Sequence, residues 1–92
     1  MADSIMQNSR ECFITGATDG LHKHHCFSGC RRQAADKWGC WVCLRYDWHN
    51  GANYGVHFNH DLDIRLKRQC QEQFERLYGH EKFMQVFGKS WL

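Results

Sequence analysis

Leu62, Leu66, Cys70, Phe74 and Tyr78 recur at every fourth position, and Ile64 and Leu77 widen the stripe. That spacing follows the helical turn, so it predicts an amphipathic helix over about Asp61 to Tyr78 with one face turned to a core. Asn59 is placed to cap its start, and Gly79 to stop it in a left-handed conformation. A second, shorter helix is predicted over about Glu81 to Phe87, with Phe83, Met84 and Phe87 inward and Gly88 ending it. Trp91 and Leu92 are expected to fold back onto it.

Residues 11 to about 58 have a different character. They are rich in Cys, His, Gly and Trp, with short apolar runs, and they read as strands and loops. Cys12 to Gly16 and Leu21 to Phe27 look like two arms of a turn around Thr18-Asp19-Gly20. Gly29 to Lys37 is polar and basic and reads as a loop with at most one helical turn. Gly39 to Leu44 is a candidate buried strand. Arg45 to Asn50 starts something helical or turn-like, which Gly51 and Gly55 break before Val56-His57-Phe58. The first ten residues read as a flexible lead-in. The fold class expected is therefore α+β, as a single small domain over residues 11–92.

At 92 residues the chain buries only a modest core, and domains of this size are often helped by metals, disulfides or assembly. Hydrophobic residues make up 42% and aromatics 14%, enough for a folded core. A net charge of +2 does not by itself point to nucleic acid, so basic groups would have to be concentrated locally. No apolar run approaches a membrane span, and the N-terminus lacks the pattern of a secretory signal. The six cysteines are accordingly expected as reduced thiols in a cytosol.

Three of the seven histidines fall within His22-Lys23-His24-His25. Imidazole is a common metal ligand and a proton acceptor near neutral pH. On a strand, His24 and His25 point to opposite faces while His22 and His24 share one. The run can thus supply a ligand and a general base without competition for one spot.

The order of parts then becomes informative. His24-His25, Phe27, Gly29, Arg31-Arg32, Lys37-Trp38-Gly39, Val42, Leu44 and His49 follow one another as strand, basic loop, strand and helical turn. This arrangement resembles the ββα-metal motif of HNH, or His-Me finger, endonucleases, and most closely the small phage-associated group. Gly55-Val56-His57-Phe58-Asn59 and the helix after it resemble the continuation in that group. The resemblance covers roughly residues 11 to 92. It implies a ββα-metal core followed by two helices and a nuclease that hydrolyses DNA phosphodiester bonds in a bacterial host cytosol. His25 would be the general base. His24 and His49 would bind one divalent metal ion (Mg²⁺, Mn²⁺, Ni²⁺ or Zn²⁺), and His57 would complete or support the site. Arg31 and Arg32 would clamp phosphates. DNA is the implied partner, with a homodimer or a phage protein complex as further options. His22, His60 and His80 are read as bystanders, and Arg65, Lys67 and Arg68 as solvated surface. Asp61 and Asp63 would serve the helix dipole.

Many relatives carry a structural zinc held by a Cys-x-x-Cys pair and a Cys-x-x-His pair. Here Cys12 remains, but Thr15, Arg45 and Trp48 stand at the other three positions, so that zinc is expected to be absent. Phe13 and Trp48 would fill the space, and Trp41 and Trp48 would anchor the core. A different zinc site remains open, from Cys26-x3-Cys30 and Cys40-x2-Cys43. It would fit the alternative function, a non-catalytic zinc-stabilised or metal-free DNA-binding or adaptor module.

Overall fold

The computed structural model describes residues 3–92. Its architecture is α+β, as the sequence predicts: a two-stranded antiparallel hairpin followed by helices. Strand β1 (Leu21–His25) pairs with β2 (Trp41–Arg45), with His24 opposite Val42 and His22 opposite Leu44. Between them the chain makes a 3₁₀ turn (Gly29–Arg31) and a short helix α1 (Arg32–Lys37). After β2 come a wide π-type turn (Asp47–Gly51) and a 3₁₀ turn (Val56–Phe58). Helices α2 (His60–Tyr78) and α3 (His80–Phe87) complete the fold.

The strand partner differs from the one expected. Cys12 to Gly16 is not a strand; it is a tight turn closed by the Gly16 N–H on the Cys12 carbonyl at 2.8 Å. That turn leaves too little extended chain to pair with β1. The β2 run, by contrast, matches all five residues of β1. Alternation places His22 and His24 on the face shared with Val42 and Leu44, both fully buried.

Helix α2 supplies the other half of the core through Leu66, Cys70 and Phe74, the predicted stripe. Asn59 caps it, its side-chain oxygen accepting the Leu62 N–H at 3.2 Å. Gly79 has a positive φ of 90°, but its ψ of 161° is outside the left-handed helical region, so the chain turns sharply into α3 through this single residue. Gly88 does end α3 in the left-handed conformation. Phe27 stacks with Phe87 at 4.6 Å and with Trp91 at 4.8 Å between ring centres, which fixes the C-terminal segment as expected. Leu92 stays exposed.

The core is anchored by phenylalanines, not by Trp41. Phe27, Phe74 and Phe83 are fully buried. Trp41 lies on the outer face of β2, where Lys23 sits 4.5 Å over its ring. The N-terminal segment is also docked more firmly than a lead-in. Ile5 donates its N–H to Gly39 at 2.9 Å, Ser4 donates to the Trp41 carbonyl at 2.6 Å, and Gln7 accepts the Cys43 N–H at 2.7 Å. Gly39 has a φ of +75°, and a Cβ there would collide with the Asp3 carbonyl oxygen. This segment roofs a cleft of about 580 Å³ on the outer face of the hairpin, away from the convergence of histidines described next.

Candidate metal centre

His24, His49 and His57 come from three separate elements and converge. Each offers one ring nitrogen, and those nitrogens lie within 4.8 Å of one another. His24 is fixed by the register of β1. His49 rides the π-type turn, which is tied down when the Tyr54 hydroxyl donates to Asp47 at 2.6 Å and Arg45 pairs with Asp47 at 3.4 Å. His57 lies on the 3₁₀ turn just before the α2 cap. Gly55 lets these two turns close on each other. A Cβ there would meet the carbonyl oxygens of Asp47, Ala52 and His49 at 2.8, 3.0 and 3.1 Å.

The donors suit a metal ion. His49 Nε2 and His57 Nε2 are 3.0 Å apart. With metal–nitrogen bonds of about 2.0–2.1 Å, two ligating nitrogens lie about 3.3 Å apart at a tetrahedral angle and about 2.9 Å at a right angle. His24 Nε2 is buried without a hydrogen-bond partner in the structure. A buried polar atom left unpaired is costly, and a cation would satisfy it. Burial, with the neighbouring imidazoles His49 and His57, lowers the pKa of His24 to about 4. Burial and the neighbours His57 and His22 do the same for His49, also to about 4. Both rings are therefore neutral at physiological pH, with lone pairs available for coordination.

The cluster opens into a cleft of about 590 Å³ lined by His25, Lys23, Arg32, Lys67, Asp63 and Phe58 among others. His25 Nε2 lies 3.1 Å from Asp36 Oδ1 on α1. Lys23 also donates to that oxygen. These two hydrogen bonds, first from Lys23 and then from His25, hold the Asp36 carboxyl below the usual range.

Compared with protein-family models, curated proteins and solved structures, the chain matches none. Its site is therefore read from geometry. No helix among the described residues is long and apolar enough to cross a membrane.

The sequence-predicted residues separate. His24, His49 and His57 are brought together, and His25 and Arg32 line the same cleft. Arg31 does not line it: its guanidinium donates to the Phe87 carbonyl at 2.9 Å and lies 5.5 Å from the Trp91 ring. Lys67 and Asp63 are not mere surface. They face each other as an ion pair one helical turn apart inside the cleft, and the Asp63 charge reaches His24. The spacing Asp63-x3-Lys67 is visible in the sequence, but it looks like any exposed helix pair. Asp36 and His22 were also missed; His22 Nδ1 is 3.0 Å from His49 Nδ1.

The thiols are not gathered as a four-cysteine site. Cys26 and Cys40 are buried beside Cys70, whose thiol they push upward in pKa. Cys43 is on the opposite face of β2, lining the N-terminal cleft, and Cys30 is exposed. Around Cys12, Thr15 and the Arg45 backbone do meet. Burial raises its pKa, but the backbone amide of Arg45, the Thr15 hydroxyl and the amides of Thr15 and Ile14 together bring it below the ordinary value. Phe13 and Trp48 are partly buried against the core.

Proposed function

We propose that this chain is a metal-dependent endonuclease of the HNH, or His-Me finger, type, phage or prophage derived, that hydrolyses DNA phosphodiester bonds. The observation that carries the reading is the convergence of three histidines, one with an orphaned buried nitrogen, beside a fourth histidine paired with a carboxylate. Phosphodiester hydrolysis needs a proton acceptor for the attacking water, charge stabilisation at the phosphate, and groups to hold the strand.

His24, His49 and His57 would hold one divalent cation, which supplies Lewis-acid stabilisation of the phosphate when bound. His25 is the general base. With its Nε2–H donated to the anionic Asp36, Nδ1 is the nitrogen left to take the water proton, and the carboxylate stabilises the imidazolium that results. Arg32 and Lys67 bind the phosphates flanking the scissile one, and Asp63 holds Lys67 in place. Such a protein acts in the bacterial host cytosol, where its six free thiols stay reduced.

A plasmid-nicking assay with Mg²⁺, Mn²⁺, Ni²⁺ or Zn²⁺ tests this. Wild-type protein should nick, and His25→Ala should lose about 10²–10⁴-fold in rate. Absence of nicking with every metal would reject the nuclease reading.

A further inference from the structure

We propose that His22 is a positioning residue that sets which nitrogen of His49 faces the metal. This rests on the metal-site reading above. Both ring nitrogens of His49 have a histidine neighbour: Nε2 lies 3.0 Å from His57 Nε2, and Nδ1 lies 3.0 Å from His22 Nδ1. A neutral imidazole carries one proton. Nε2 is the atom on the side of His57, so it must be bare to act as a ligand. The proton then belongs on Nδ1, where His22 Nδ1 accepts it, and His22 keeps its own proton on Nε2. Ligating histidines commonly donate their second N–H to an oxygen acceptor, which fixes tautomer and ring orientation.

The choice of acceptor has a chemical consequence. A carboxylate in this place would add a negative charge close to the cation. A neutral imidazole fixes His49 without adding one, which leaves the full positive charge for a phosphate diester. The strand dictates the arrangement. His22 shares its face with His24, and the turn after β2 brings His49 across both, with ring centres 5.2 Å from His22 and 5.4 Å from His24. His22 is itself exposed, so its replacement leaves the core intact.

The test is metal affinity, read by calorimetry or by competition with a chromophoric chelator, using Co²⁺ and Zn²⁺ with the full chain. His22→Ala and His22→Leu should weaken binding by about 10–100-fold. His22→Asn puts an acceptor oxygen near the Nδ1 position and should stay within about threefold of wild type. Metal-free melting temperatures should be alike in all four proteins. Nitrogen-15 NMR of the zinc-loaded wild type should show the His49 proton on Nδ1. Affinity unchanged in His22→Ala, equal losses in His22→Asn and His22→Ala, or an Nε2 proton on His49 would each overturn the proposal. His49→Ala is run in parallel. If it binds metal as wild type does, the metal site itself has been misread, which is a separate failure.

Discussion

His25 Nε2 lies 3.1 Å from Asp36 Oδ1, so a helix in the connection between the strands delivers a carboxylate to the histidine that follows His24 of the candidate metal cluster. Lys23 donates to the same oxygen and helps keep it ionised. A charged acceptor orients the imidazole and stabilises the positive charge that develops on it as a water proton is taken up. Asp36→Asn should lower the nicking rate by roughly tenfold or more, short of the loss in His25→Ala, with little change in KM. Single-turnover kinetics on a supercoiled plasmid measure it. An unchanged rate would remove Asp36 from the mechanism.

The orphaned His24 Nε2 makes a prediction about stability. A ligand that binds the folded state at a hundred times its dissociation constant stabilises by about 2.7 kcal/mol. In a domain of this size that corresponds to a rise in Tm of about 10–20 °C. Thermal melts with and without Zn²⁺ or Ni²⁺ should show such a rise for wild type and not for His24→Ala. EDTA should reverse it. A rise of equal size in both proteins would place the ion elsewhere.

How far the sequence shows this site depends on the range of the interaction. The α2 stripe is local, and Leu66, Cys70 and Phe74 are buried as their spacing predicts. Tyr78 and Leu77, at its end, run past the core and are half exposed. The partner of β1 is a long-range choice, and the nearer segment Cys12 to Gly16 loses because it closes into a turn. The three converging histidines were found from the resemblance. Lys67 was missed because a lysine four residues after an aspartate signals only a helix surface until the neighbouring turns are placed. His22 was missed for a similar reason: strand alternation gives its face, but not the loop that carries His49 to it.

The depressed histidines set a pH dependence for the metal-free protein. His24 and His49 have an ordinary value of 6.5 and are lowered to about 4 in the fold. Between those values the unfolded chain binds more protons than the folded one, so stability falls as pH drops from about 6.5 to about 4. Above 6.5 the contribution is fully present. Urea unfolding at pH 7.5, 6 and 5 should show progressive loss in wild type and a flatter profile in His24→Leu. Bound metal should steepen the acid loss, because protons compete for the same nitrogens. A flat wild-type profile would mean that the rings protonate freely in the fold.

Arg31 and Arg32 are adjacent in sequence and have opposite fates. Arg31 is used up on the Phe87 carbonyl and the Trp91 ring, whereas Arg32 lines the cleft with Lys67. Each phosphate contact releases counterions on binding, so removing one lowers the slope of log affinity against log salt by about 1. Arg32→Ala and Lys67→Ala should each show that change in metal-free DNA binding, with little effect on Tm. Arg31→Ala should leave the slope alone and lower stability by about 0.5–1.5 kcal/mol, the net worth of one part-buried hydrogen bond. Fluorescence anisotropy with a labelled duplex over a salt series, with thermal melts of the same proteins, separates the two arginines. If Arg31→Ala changes the slope and Arg32→Ala does not, the DNA path does not follow this cleft.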